Sequence, residues 1–117
     1  MKAIVIRPGE RAVLQEVDGW NGIKAALGGG YLEAVPVGED FTLYVDEDGI
    51  AKGLPYNEEA TRVTETMLAA MKRRFAVTGD YIKGVAVFVG IRHDPEEGGV
   101  ECDIPERVIA EYFAPLK

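Results

Sequence analysis

The chain has 117 residues, a formal net charge of −7 and 47% hydrophobic side chains, which suits a single globular domain over residues 1–117. Its one cysteine, Cys102, excludes an intrachain disulfide and favours a reducing compartment. The N-terminus lacks the apolar core of a signal peptide, and no apolar run approaches the roughly 20 residues of a membrane helix, so we expect a cytoplasmic protein.

The acidic side chains are concentrated in two parts of the chain. Residues 31–60 carry eight acidic side chains against one basic, and residues 91–117 carry seven against three. Charge of this sign repels phosphates and therefore disfavours direct binding of nucleic acid. It suits a basic protein partner or mimicry of nucleic acid, although a modest net charge also serves solubility alone.

The first half of the chain reads as strands with one short helix. Apolar alternation predicts strands over residues 2–7 and 12–17, with a turn between them. Asp18 is placed to cap a helix over 19–27, which three glycines at 28–30 would end. Further strands are predicted over 31–37 and 41–45. The Asp-Gly pair at 48–49 predicts a hairpin turn that returns as a strand over 50–54.

The second half opens with the clearest helix, over residues 58–74, which Asn57 is placed to cap. Residues 85–91 are almost wholly apolar and are expected to form a central strand. A charged loop or hairpin over 93–101 follows, and then a final helix whose inward face would be Val108, Ile109, Tyr112 and Phe113. These elements predict an α+β fold with a mixed, mainly antiparallel sheet and two to three helices packed mostly on one face.

Five blocks of sequence carry a family resemblance. They are MKAIVIRPGE at 1–10, GGYLEAVP at 29–36, YVDEDG at 44–49, GLPYNEEAT at 53–61 and the strand at 84–90. In this order they resemble the phage and bacterial family named domain of unknown function 3846, over residues 1–60 and 79–91. The resemblance implies a setting in phage genomes and mobile elements rather than a chemistry.

Three polar residues inside these blocks are candidates for a ligand-binding site: Glu33, Tyr44 and Asn57. Each is polar where the strand pattern does not require it. If Glu33 and Tyr44 share a sheet face near the cap of the long helix, the three could line a small polar pocket. The alternative is that Asn57 only caps the helix, while Glu33 and Tyr44 face solvent or pair across strands.

A second candidate is an acidic interaction surface on the segment around residues 39–59. Charge complementarity speeds the encounter between protein partners, so this segment could present charge to a basic site. The residues that we expect to contribute are Asp46, Glu47, Asp48, Glu58 and Glu59.

The sequence predicts no metal, no cofactor and no enzyme activity. His93 lies near Cys102 and three carboxylates, but one histidine and one cysteine are too few nitrogen and sulfur ligands for a typical site. Nor does a nucleophile or an acid–base pair accompany that histidine.

The leading functional hypothesis is a non-enzymatic phage or mobile-element accessory protein that binds a host or phage protein. One alternative is a small-ligand-binding or sequestering protein, and another is an acidic DNA mimic that counters restriction. A homodimer is also plausible, because the long helix carries a wide apolar stripe at Met67, Leu68 and Met71. We expect no contact with membranes and no direct contact with nucleic acid.

Overall fold

The computed structural model describes residues 1–49, 51–72 and 82–114. Within them lie six strands, β1 (Lys2–Ile6), β2 (Val13–Glu16), β3 (Leu32–Pro36), β4 (Phe41–Asp46), β5 (Ala86–Asp94) and β6 (Gly98–Cys102). The helices are α1 (Gly19–Ala26), α2 (Glu58–Ala70) and the short α3 (Glu106–Val108), which passes directly into a π-helix at Ile109–Phe113. None of these helices is long and apolar enough to cross a membrane.

The six strands form one sheet in which every pairing is antiparallel. Their order is β2-β1-β5-β4-β3, and β6 pairs with the second half of β5. The nine-residue β5 pairs with β1 and β4 through residues 86–90 and with β6 through residues 90–94. The prediction of a central strand is confirmed. Burial on both faces explains the apolar run of Ala86, Val87, Phe88 and Val89, which are all 0% exposed.

The sheet has a hydrophobic core on each face. On the face that we call the α2 face, Leu43 and Phe88 pack with α2 and with Phe113 of the π-helix. On the opposite α1 face, Val87 packs with Ile23 of α1. Adjacent residues of β5 enter different cores because strand side chains alternate. The predicted mainly antiparallel α+β fold is confirmed, with the longest helix and the C-terminal helix on one face and α1 on the other.

The strand predicted over residues 50–54 is wrong. Residues 51–53 form a turn and Leu54 belongs to no strand, while Ile50 lies outside the described residues. The physical reason is that β4 is already hydrogen-bonded on both edges, to β3 and to β5. A strand returning after β4 therefore has no free edge with which to pair.

Two predicted helix ends also differ from the structure. The helix that starts at Glu58 ends at Ala70, and Lys72 adopts a positive φ of 57°, which is incompatible with continuing the helix. The predicted last-turn residues Arg73 and Arg74 lie outside the described residues. At α1, the Asp18 side chain makes no capping hydrogen bond, so that part of the prediction is wrong.

Candidate functional site

The structure does not bring Glu33 and Tyr44 together. In the register of β3 and β4, Glu33 lies opposite Val45, and Ala34 lies opposite Tyr44. Val45 belongs to the core on the α2 face, whereas Tyr44 belongs to the core on the α1 face. Because directly opposite residues share a face, Glu33 and Tyr44 point to opposite sides of the sheet. Together with Asn57 they therefore form no common pocket.

Tyr44 connects the middle of the sheet to β6. Its hydroxyl donates to Glu101 Oε1 at 2.9 Å, and its ring meets that of Trp20 edge-on with centroids 5.5 Å apart. Burial, and then the neighbouring Glu101 carboxylate, raise the pKa of the Tyr44 phenol well above its usual range. The phenol is neutral at physiological pH and its hydrogen-bonding capacity is used inside the chain.

Asn57 is completely buried and all its side-chain hydrogen bonds are internal. Its Oδ1 accepts from the Ala60 amide at 3.1 Å, which confirms the predicted helix cap. Its Nδ2 donates to the carbonyls of Ile6 at 2.9 Å and Gly84 at 2.8 Å. Asn57 therefore links the start of α2 to the end of β1 and to the residues just before β5. Both hydrogens of its Nδ2 are used in these bonds, so the side chain has no donor left for a ligand.

Asp46 does not contribute a free charge to the predicted acidic surface. Its side chain is 5% exposed, its Oδ2 accepts from Lys52 Nζ at 2.7 Å, and its Oδ1 accepts from the Asp48 amide at 2.8 Å. Burial alone would raise the pKa of Asp46, but these two hydrogen bonds outweigh it and hold the pKa below its usual value. The Asp46 carboxylate therefore stabilises the loop that follows β4.

Of the other four acidic candidates, one is also paired within the chain. Glu59 binds the Arg62 guanidinium one turn along α2. Glu47, Asp48 and Glu58 are exposed and remain available to a partner. The predicted acidic surface is thus reduced from five carboxylates to three.

His93 and Cys102 do not approach each other as a metal site would require. In the hairpin of β5 and β6, His93 lies opposite Gly99 and Cys102 lies opposite Gly90, so their side chains point to different faces. Over residues 1–49, 51–72 and 82–114, no group of three or more histidine, cysteine or acidic residues could hold a metal ion. Burial raises the pKa of the Cys102 thiol, which makes it a weak nucleophile.

An open groove on the α2 face, which we call the α2 groove, was not predicted from the sequence. It lies between the C-terminal end of α2, the turn that joins β3 to β4, and the C-terminal helix, and its volume is about 270 Å³. Its apolar lining comes from Phe41, Met67, Met71 and Tyr112. The rings of Phe41 and Tyr112 have centroids 6.3 Å apart, so the start of β4 and the π-helix are in direct contact there.

Among the described residues, four charged ones also line the α2 groove: Glu39, Asp40, Arg107 and Glu111. Arg107 Nη2 donates to Asp40 Oδ1, and this contact, followed by the more distant Glu111, raises the pKa of the guanidinium. Burial and then Glu111 raise the pKa of Tyr112. Glu39 and Glu111 form no ion pair with any described residue, although Glu111 shares a hydrogen bond with Tyr112. The described lining therefore carries more negative than positive charge.

The π-helix explains why the groove was missed. A π-helical turn is wider than an α-helical one, and it places Val108 and Phe113, five residues apart, in the same core. The α-helical spacing of the sequence predicts Ile109 and Tyr112 as equally inward, and both pack against the core, but they are only partly buried. Tyr112 instead reaches the groove, and no residue pattern distinguishes these two arrangements.

Comparison with known proteins decides the family. A family model described as Domain of unknown function (DUF3846) matches residues 1–117, which is the whole chain. The chain belongs to DUF3846. No curated protein and no solved structure matches it. The match confirms the resemblance and extends it over the residues of the α2 groove.

In this DUF3846 chain, the block at residues 53–61 is explained largely by the fold. Besides the bonds of Asn57, Thr61 Oγ1 donates to the Asn57 carbonyl and accepts from the Ile82 amide, both at 2.8 Å. In the preceding block at residues 44–49, Asp46 pairs with Lys52 of the loop that follows. Since these polar groups are used internally, the α2 groove is the better candidate for a binding site.

Proposed function

We propose that this DUF3846 chain is a non-enzymatic protein-binding module of a phage or mobile element, which binds a host or phage protein through the α2 groove and alters its activity. The observation that supports the proposal is the groove itself, an exposed concavity that combines two methionines and two aromatic rings with charged side chains. Aromatic residues and methionine are enriched in protein interfaces, and methionine adapts to different partners. The phage setting rests on the family resemblance.

A small-ligand-binding or sequestering protein is the second candidate, because the same groove could hold a metabolite. Its volume of about 270 Å³ lies just below the roughly 300–1,000 Å³ of typical ligand pockets, which favours a side chain of a protein partner. Native mass spectrometry of protein purified from its host would show an adduct if a ligand were bound. A clean apo mass, with no thermal shift against a metabolite panel, would contradict this candidate.

Mimicry of nucleic acid has less support because the acidic residues lie at two ends of the sheet. Asp40 lies beside the second half of β5, where its carbonyl accepts from the Ile91 amide at 2.8 Å. Asp46 ends β4 at the opposite end, next to the segment that leads into α2. A DNA mimic needs carboxylates spaced like phosphates across one face.

The test is a pull-down from host lysate at about physiological salt with three versions of the chain. Ala70→Arg places a long side chain in the groove, since Ala70 is exposed on α2 and lines it. Ala69→Arg is the matched control, because Ala69 is exposed on the same helix and does not line the groove. Arginine has nearly the helix propensity of alanine, so both variants should fold.

We expect one stoichiometric partner with the wild type and with Ala69→Arg, and its loss with Ala70→Arg. A partner that survives both substitutions would place binding elsewhere, with the exposed Glu47, Asp48 and Glu58 as the next surface to change. No partner at this salt concentration would contradict the protein-binding proposal and favour the small-ligand candidate.

A further inference from the structure

The charges of the α2 groove select the sign of its occupant. Among the described residues that line it, three carboxylates, those of Glu39, Asp40 and Glu111, stand against one guanidinium, that of Arg107. Arg107 pairs with Asp40, so the described lining carries an excess of negative charge. An anionic occupant would meet this excess of carboxylates, and the guanidinium among the described lining residues, that of Arg107, is already paired with Asp40. The groove therefore favours a cation.

The apolar residues that line the groove determine which kind of cation it can hold. Met67 is fully buried and Phe41 is 5% exposed, so the floor of the groove belongs to the hydrophobic core. Met71 and Tyr112 are partly buried and form its sides. A small hydrated metal ion would gain nothing from these surfaces, and no described residues form a metal cluster. A cation with a long apolar stem can cover them while its charged end remains near the carboxylates.

We infer that the α2 groove binds an arginine side chain on a segment of the partner protein. The methylene stem lies along the two methionines and Phe41, and the guanidinium reaches Glu39 and Glu111 beside the Tyr112 ring. Arginine suits this site better than lysine, because its planar fork of five N–H donors binds two carboxylates at once and stacks on an aromatic ring. The inference rests on the proposed protein-binding function and names the chemistry of the partner.

The experiment selects peptides from a random heptapeptide display library against the full chain. Three versions are used: the wild type, the double variant Glu39→Gln with Glu111→Gln, and a control with Glu47→Gln and Glu58→Gln. All four glutamates are exposed, and each double variant removes two negative charges, at opposite ends of the sheet. Folding is checked by the amide NMR spectrum, and selected peptides are also made with citrulline, the uncharged isostere, in place of arginine.

We expect the wild type and the control to select peptides that contain arginine next to bulky apolar residues. Citrulline, or the substitutions at Glu39 and Glu111, should weaken binding at least about tenfold, because hydrogen bonds between charged groups are lost. The peptide should shift amide resonances of residues 37–41, 67–71 and 107–112.

Peptides without a cation, peptides that bind all three versions equally, or no selected peptide at all would each overturn the inference. Protein binding itself would still stand if the lysate partner were lost with Ala70→Arg and kept with Ala69→Arg. If the lysate also yields no partner, the proposed function fails as well.

Discussion

Two polar regions of this chain differ in where their hydrogen bonds go. At the end of β4 and in the loop that leads to α2, Asp46, Lys52 and Asn57 form hydrogen bonds with groups of the chain itself. In the α2 groove, Glu39 and Glu111 are exposed and form no ion pair with any described residue, and Glu111 shares a side-chain hydrogen bond with its neighbour Tyr112. Asp46, Lys52 and Asn57 therefore contribute to stability, whereas the two carboxylates of the groove are available for recognition. The following predictions test this difference, beginning with the largest effect.

Replacing Asn57 by alanine should have the largest effect on the free energy of unfolding. The change removes the α2 cap, worth about 1 kcal/mol. It also leaves the buried carbonyls of Ile6 and Gly84 without this donor, at about 1–3 kcal/mol each. These contributions sum to about 3–7 kcal/mol, so we expect the free energy of unfolding to fall by at least about 3 kcal/mol in urea denaturation. The control is Asn21→Ala, at an exposed position of α1, which should change little; a similar small loss at Asn57 would contradict the structural role.

Replacing Asp46 by asparagine should lower the free energy of unfolding by about 1–2 kcal/mol. The loss is modest because Lys52 is 44% exposed, so water screens part of its attraction to Asp46. The pKa of Asp46 is lowered on folding, so its contribution is present above the ordinary value of 3.8 and is lost as pH falls through the lower folded value.

The free energy of unfolding of the wild type and of Asp46→Asn should be measured by urea denaturation from neutral pH to below that value. We expect the difference between them to be constant at first and then to decrease. The exposed Asp48→Asn is the control, since it removes the same charge without breaking the pair with Lys52. An equal loss in both variants would mean that the buried contact is not the cause.

Tyr44→Phe removes the hydrogen bond to Glu101 and should cost about 1 kcal/mol. The pKa of Tyr44 is raised on folding, so this stability is fully present below the ordinary value of 10.0 and is lost only as pH rises through the higher folded value. We therefore expect Tyr44→Phe to lower the free energy of unfolding by the same amount at about pH 7 and at about pH 9. Tyr31→Phe, at a side chain that is 75% exposed, is the control; Tyr44 ionising near 10.0 in an absorbance titration would contradict the buried contact.

Arg107→Gln should have the smallest effect on stability, because both partners of its pair with Asp40 are about half-exposed and water screens their attraction. The same change frees a third carboxylate in the groove, so the affinity for an arginine-bearing peptide should rise by a few-fold in a fluorescence titration. Arg11→Gln, an exposed arginine between β1 and β2, removes the same charge far from the groove. Equal effects of both variants on affinity would point to long-range charge alone.

Local patterns in the sequence determined the main elements and their layering. The apolar run of β5 requires burial on both faces, so its central position followed from composition alone. Asn57 before a three- and four-residue apolar repeat predicted the cap and the helix, because both signals act within two turns of chain. The family followed from blocks of residues in order, and the match over residues 1–117 confirmed it.

Contacts between distant residues were decided only by the tertiary structure. Whether Glu33 and Tyr44 share a face depends on the register of two strands, and the strand expected after β4 is excluded because both edges of β4 are occupied. The α2 groove depends on an ion pair between residues 67 positions apart and on a π-helical turn. Neither the ion pair nor the π-helical turn produces a periodic pattern in the sequence. The energy of such contacts depends on where the folded sheet places the side chains, and not on their neighbours in sequence.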